Sequence, residues 1–375
     1  MARRLLYVVT EDWYFLSHRL PMARAAKAAG YAVHVATRFK DGKAAIEAEG
    51  FVPHALDWSR GSLSARGSIS AIFALRRLLG AIEPDILHNI SLKPVLLGGA
   101  ASLGRSGIAV VNSLTGLGSL FIGEAEVSGF TRRLVRTALA GLLRRKRSVA
   151  VVQNPDDREF VTGLGVPAEQ VELIPGSGVD TEKLTPLPEP PEPPVTAAYA
   201  GRMLADKGLL TLIEAFSRLG REGNALQLLL AGDCDRENPG SLAPEQLTEF
   251  ASLYGIHWLG HVADIKSVWA RAHFAVLASR REGLPKSLLE AAACGRPMVA
   301  TDAPGCREIA IEGETALTVP VDDPEALAKA MARLAADPEM RARFGANARA
   351  LVERKFSAAA IGRQTVELYD SLLAR

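Results

Sequence analysis

Short apolar runs separated by longer stretches of helical period recur along nearly the whole chain. In the first half the strand candidates are "LLYVVT" (5–10), "AVHVAT" (32–37), "DILHN" (85–89), "IAVVN" (108–112), "VAVVQ" (149–153) and "VELI" (171–174). Between them lie helical segments such as "HRLPMARAAKAAG" and "SISAIFALRRLLGAI". Continuously apolar strands alternating with helices predict parallel sheet covered on both faces.

The pattern breaks once. "TPLPEPPEPP" (185–194) places six prolines in ten residues, a composition that is extended and excludes helix or inner strand. Beyond it the alternation restarts with "TAAYAG" (196–201), "LQLLLAG" (226–232), "HWLG" (257–260), "FAVLAS" (274–279), "PMVAT" (297–301) and "ALTVP" (316–320). The expected organisation is two doubly wound, Rossmann-like α/β domains, 1–184 and 195–355, joined by a proline-rich linker at 185–194 and facing a cleft. A final helix over 356–375 is free to pack on either, the first domain included. In such sheets ligands bind beyond the carboxyl ends of the strands, so the strand-to-helix turns are where chemistry is sought.

Composition narrows the picture. Of 375 residues 48% are hydrophobic and 23% charged, with a formal net charge of +2. That describes a globular chain with a real core and no global field for nucleic acid, which is not expected as a partner. Three cysteines, Cys234, Cys294 and Cys306, have no metal-ligand spacing and read as reduced thiols. The opening "MARRLLYVVTEDWYF" looks like a signal peptide, but its apolar run is too short and reads as a buried first strand. A cytoplasmic protein is expected.

Two turns carry candidate chemistry. In "AGRMLADKG" Arg202 and Lys207 flank a loop between a strand and a helix beginning near Gly208. Free backbone amides and the helix dipole add to such cations to make an anion site. Two solvated surface cations are an equally compatible reading. In "SRREGLPKSLLE" Glu282 precedes a helix and Glu290 lies inside it, with Pro285 suited to the first helical position. The amides of Leu284, Lys286 and Ser287 would then face a ligand. Glu290 would lie about 7–8 Å along the axis. A diphosphate at the helix mouth would direct one end of a nucleotide sugar to each carboxylate. Taken singly, Glu282 is also compatible with a helix-start carboxylate and Glu290 with an exposed helical residue.

"EGLPKSLLE" matches the E-x7-E motif of retaining GT-B glycosyltransferases, and "GRMLADKG" is similar to that family's diphosphate loop. The chain resembles glycosyltransferase family 4 over nearly its whole length, most strongly from about residue 196 to 310. "SHRLPMARAA", "SLTGLGSLF", "GDCDRENP" and "CREI" are similar to a branch that extends lipid-linked oligosaccharides, N-acetylgalactosaminyl transferases acting on undecaprenyl-diphosphate sugars among them. The resemblance implies a GT-B fold, a UDP-sugar donor, a lipid-linked saccharide acceptor and no metal or other cofactor. It implies that Arg202 and Lys207 neutralise the donor diphosphate and that Glu290 binds the ribose hydroxyls. Glu282 would hold the transferred sugar, helped by the backbone of Gly283, Leu284, Pro285 and Lys286. The turn 260–264, with Val262 at its centre, would contact uracil through its backbone.

One departure stands out. Many family members carry a histidine after a strand of the first domain, where this chain has "IAVVNSLTGLGSLF". His18 is the substitute favoured by residue type, His88 a weaker one, and both are also compatible with satisfied structural histidines. The glycine-rich turn from Asn112 to Gly118, with Gly116, is expected to shape the sugar or acceptor pocket. Asp233 and Asp235 in "GDCD" imitate a metal motif of a different glycosyltransferase fold but are expected to form a turn.

The segment 130–148, "FTRRLVRTALAGLLRRKRS", has seven cations and no acid. Phe130, Leu134, Ala138 and Leu142 share one helical face, and Arg132, Arg136 and Arg147 fall roughly opposite. This suits a helix on an anionic membrane surface and equally a helix packed on its domain. A peripheral enzyme on the inner face of the cell membrane is expected; a soluble acceptor and a catalytically inactive nucleotide-binding protein are its competitors.

Overall fold

The computed structural model describes residues 2–58, 65–115, 129–221 and 226–374, with side chains described except at 65–66, 129–132 and 253–254. The chain divides into two compact units, 1–178 with 358–375, and 179–357. Two parallel sheets, one in each, carry the architecture of the GT-B fold.

The first sheet contains β1 (Arg3–Glu11), β2 (Tyr31–Arg38), β3 (Val52–Ala55), β4 (Ile86–Ile90), β5 (Ala109–Ser113), β6 (Ser148–Val152) and β7 (Val171–Leu173). Its order is β3-β2-β1-β4-β5-β6-β7, every pairing parallel. The opening apolar run is β1, whose residues Leu5 to Val9 are at most 1% exposed. Only β3 escapes the apolar pattern. It is a short edge strand with a proline and an exposed Val52, and edge strands need no continuous apolar run.

The second sheet contains β8 (Val195–Ala200), β9 (Leu226–Ala231), β10 (Ile256–Gly260), β11 (Phe274–Leu277), β12 (Met298–Thr301) and β13 (Ala316–Val319), in the order β10-β9-β8-β11-β12-β13. From β8 the chain first winds outward to β9 and β10, then returns to place β11 on the other side of β8. The reversal puts the loops leaving β8 and β11 side by side, which is the topological switch point of this sheet.

The division of the chain differs from the expected linker. The proline stretch 185–194 lies wholly within the second unit, and the chain crosses at Gly178/Val179 and again at Ser357/Ala358. The reason is a buried cation. Arg341, 1% exposed, donates to Glu189 at 2.5 Å and also to Glu192, while Arg296 donates to Pro188 O at 2.6 Å. Extended prolines offer carbonyls and flanking acids to these arginines, so the segment is tied down along its length.

The C-terminal helix Ala358–Ala374 belongs to the first unit, where it packs on the helix Leu20–Ala28. Tyr369 lies in the core of that unit and shares hydrogen bonds with Tyr7 at 2.9 Å and His88 at 2.6 Å. Asp370 accepts from Tyr31 at 2.7 Å and from Arg3 at 2.6 Å. Gly362 permits the close helix crossing, because a Cβ there would sit 2.8 Å from Ala25 Cβ. Overpacking of this kind costs about 1–3 kcal/mol. Gly362→Leu is therefore expected to lower the melting temperature by about 3–8 °C in a thermal unfolding scan. An unchanged melting temperature would mean the helix does not seat as described.

Candidate functional site

The loop after β8 is shaped by glycine. Gly208 has φ +67°, and a Cβ there would lie 1.8 Å from Ala278 O. This lets the turn Ala205–Lys207 come against the loop leaving β11. Arg280 N donates to Asp206 O at 3.2 Å across the seam. Behind the turn, Tyr199 is fully buried and donates to Arg202 O at 2.7 Å. Burial, reinforced by the charge of Glu282, raises its phenol far above the usual range.

Lys207 and Glu282 meet at this seam. Lys207 Nζ donates to both carboxylate oxygens, at 2.5 and 2.6 Å, and Ser279 Oγ donates to Oε1 at 2.7 Å. Ser279 is itself fixed, its carbonyl accepting from Thr301 Oγ1 at 2.5 Å. Glu282 N donates to Pro304 O at 2.9 Å. Gly305, at φ +80°, comes so near that a Cβ would lie 2.3 Å from Glu282 O. Loops from β8, β11 and β12 thus hold one carboxylate.

The helix Lys286–Ala293 opens beside Glu282. Pro285 is its extended N-cap, φ −72° and ψ 109°, one position before the first helical residue expected for it. Its carbonyl accepts from the amides of Leu288 and Leu289, which leaves the start of the helix to Lys286. The amides of Leu284 and Ser287 have no acceptor among the described residues. With no side-chain cap, donors and dipole both face outward at this end.

Three cation–carboxylate pairs therefore ring the switch point: Lys207–Glu282, Arg202–Asp235 at 2.7 Å, and Lys286–Glu290 at 3.3 Å. Their formal charges cancel, so an arriving anion must share or take over cations already engaged. The Arg202 pairing was not visible in the sequence reading, although "GDCD" follows β9, the neighbour of β8, so the two loops had to adjoin. The backbone amide of Asp235 donates to Ser241 Oγ at 2.8 Å, the turn role expected for this residue.

The next loop lies alongside. Gly232 N donates to Gly260 O at 2.7 Å, and Val262 packs half-buried against the core. Asp264 caps the helix Ile265–Trp269. The residues 201–208, 232–235, 260–264 and 278–290 all lie at the carboxyl end of one sheet.

The other predicted residues belong to the first unit. His18 ends the helix Asp12–His18 in the first unit, stacked on Tyr14 at 4.4 Å with Ser17 Oγ 2.6 Å from Nδ1. His88 is 2% exposed and has both ring nitrogens engaged, with Tyr369 and with Ser113 at 2.7 Å. Burial, then the charge of Arg19, holds it well below the usual histidine range. Asn112 is buried between Asn89 and Ser148. Gly116, with the turn 116–118, lies outside the described residues.

The basic segment differs from the expected single helix over 130–148. Its helix ends at Leu143, and Arg144 to Arg147 form the turn into β6. Arg145 caps another helix, donating to Gly99 O at 3.2 Å, Ser102 O at 3.1 Å and Ser102 Oγ at 2.8 Å, as arginine does at helix C-termini. Leu139 and Leu143 are the packed face; Leu134 is 59% exposed.

Burial raises the carboxyl of Glu290 above its ordinary value of 4.5, with Lys286 working the other way. A raised carboxyl makes ionisation a cost of folding, complete above the folded pKa and lost as pH falls toward 4.5. Glu290→Gln is expected to melt at or above the wild type at pH 7, with the gap closing as pH falls. A variant less stable at pH 7 would contradict this assignment.

Comparisons with known proteins bear on the family and the fold. Residues 4–153 match the family model "Glycosyl transferase 4-like" and residues 194–337 match "Glycosyl transferases group 1". The N,N'-diacetylbacillosaminyl-diphospho-undecaprenol alpha-1,3-N-acetylgalactosaminyltransferase of Campylobacter jejuni is 26% identical over 333 residues, 84% of this chain and 85% of that one. The capsular polysaccharide biosynthesis glycosyltransferase CapM of Staphylococcus aureus is 29% identical over 175 residues, 47% of this chain and 46% of that one. In structure, sucrose-phosphate synthase from Thermosynechococcus elongatus is similar with a TM-score of 0.84 at 21% identity, covering 99% of both chains. HepE of Anabaena, solved with UDP and glucose, has a TM-score of 0.77 at 19% identity, covering 99% of this chain and all of that one. The matched models, the two sheets and the loops at the second switch point lead to one assignment: the chain belongs to the group 1, family 4 glycosyltransferases of GT-B fold.

Proposed function

We propose that this glycosyltransferase moves an N-acetylhexosamine, with retention, from a UDP-sugar to a saccharide carried on a polyprenyl diphosphate, in polysaccharide assembly. The observation that carries the reading is the Lys207–Glu282 pair beside a helix end whose amides at Leu284 and Ser287 are open. The names of the Campylobacter and Staphylococcus relatives support the substrate class, and HepE is similar to this chain and binds UDP-glucose.

In this reading the diphosphate lies against the start of the helix Lys286–Ala293. Arg202 and Lys207 meet its oxygens, and the backbone of Gly283, Leu284, Pro285 and Lys286 frames it. Glu290 accepts from the ribose diol, Val262 lies beside uracil, and Glu282 orients the transferred sugar. When the sugar–phosphate bond breaks, negative charge grows on the leaving diphosphate, where fixed cations and amide dipoles act most strongly. The mechanism requires no metal. His18 and Gly116 serve the sugar or acceptor side.

Lys207 then matters most in the transition state. Lys207→Ala is expected to lower kcat by about 10²–10³-fold while changing the KM for the donor far less, in a steady-state donor turnover assay. A loss confined to KM would contradict the role.

A membrane-side acceptor is supported by a second surface. Ile69 and Phe73, on the helix Ala65–Ile82, are 55% and 67% exposed, and Leu134 on the helix Gly129–Leu143 is similarly open. Both helices pack against the helix Leu92–Ala101. Arg77, Arg133, Arg144 and Lys146 are exposed cations on the same elements or the turn that follows. Among the described residues no helix is long and apolar enough to cross a membrane; the attachment proposed is peripheral. Phe73→Ser and Leu134→Ser should each weaken flotation with anionic vesicles about tenfold. Wild-type protein that does not float at all would favour a soluble acceptor.

A further inference from the structure

The first unit holds a buried cation with no counter-ion among the described residues. Arg19 joins the helices Asp12–His18 and Leu20–Ala28 and is 3% exposed. Its backbone is fully used, the amide donating to Phe15 O at 2.7 Å and the carbonyl accepting from Ala23 N at 3.0 Å. Its side chain is not. Nη1 reaches only Met22 Sδ, at 3.5 Å, and Nε and Nη2 have no hydrogen-bond partner among the described residues. A buried guanidinium left in this condition is strongly unfavourable unless something else offsets it.

The two unpartnered nitrogens are informative. Nε and Nη2 form one edge of the guanidinium, where two parallel N–H groups match two oxygens of a carboxylate or phosphate. Arg19 lines a slot with His88, Ser113, Thr115, Gln153 and Gly176, at the carboxyl ends of β5, β6 and β7. The slot is narrow, its free space of about 10 Å³ being that of a single water, so an oxyanion would have to widen it; among the described residues no acid lines it. His88 is neutral and already committed to Tyr369 and Ser113. Among the described residues Arg19 is thus the one full charge lining the slot.

We propose that Arg19 anchors an oxyanion subsite in the first unit, taking the paired oxygens of a carboxylate or phosphate on its Nε/Nη2 edge, with Thr115 and Gln153 as neighbouring polar side chains. The subsite stands without the glycosyl-transfer reading and rests on it only in assigning that oxyanion to the acceptor.

The test uses the full chain in anion-free buffer, with thermal unfolding and calorimetric titration against inorganic phosphate, acetate, a sugar 1-phosphate and UDP. Wild type should be stabilised by phosphate or acetate, the stronger of the two naming the group. A sugar 1-phosphate that binds more tightly than inorganic phosphate would place the oxyanion on a saccharide. Arg19→Met should weaken that response more than tenfold, leave UDP affinity within twofold, and melt at or above wild type, because an unpaired buried charge is gone. Arg19→Lys, which keeps the charge but loses the two-donor edge, should fall between them and serves if Arg19→Met does not fold. The proposal is overturned if wild type responds to neither anion, if Arg19→Met responds as wild type does, or if it melts lower while wild type shows no anion response. Intact anion binding without donor turnover would sink the transferase reading and leave the subsite standing.

Discussion

Lys207 and Glu282 face each other across the seam where the second sheet changes its direction of winding, and most of the site's construction serves to hold them there. The pair forms because two loops that are far apart in sequence leave adjacent strands, β8 and β11, at the same end. Gly208 makes the approach sterically possible and Gly305 closes the third side. Ser279 and Thr301 fix the carboxylate from behind. A surface ion pair contributes little, but Glu282 is 9% exposed, so its charge is anchored rather than merely neutralised.

That anchoring bears on how such a site handles an anion. Three cations balanced by three carboxylates form a neutral ring, held in place by hydrogen bonds before any ligand arrives. The balance also protects the fold, since three unbalanced cations at a helix mouth would repel one another. A ligand bringing negative charge meets cations whose positions are already fixed, the condition for electrostatic preorganisation, and must share them with the carboxylates. Arg19 illustrates the opposite arrangement in the first unit: a buried cation with no carboxylate beside it among the described residues.

Much of this was legible in the sequence. Twelve of the strand segments announce themselves as apolar runs because parallel strands are covered on both faces; β3 does not, being a short edge strand with its proline and exposed valine. The loops carrying Arg202, Lys207, Glu282 and Glu290 were found because strand ends are where such sheets place ligands. What sequence could not supply was pairing. The partner of Arg202, 33 residues away, and that of Lys207, 75 residues away, are set by strand order. The proline stretch misled for a related reason, since composition reports stiffness but not the buried Arg341 that ties the segment down.

The central claim is that the β8–β11 seam of the second unit holds the diphosphate of a nucleotide sugar. The most direct measurement is a crystal structure of the chain with UDP-N-acetylglucosamine or UDP. The account predicts phosphate oxygens within hydrogen-bonding distance of Lys207 Nζ and of the amides of Leu284 and Ser287, with the ribose hydroxyls on Glu290. A diphosphate bound elsewhere, with the Lys207–Glu282 pair untouched, would contradict it.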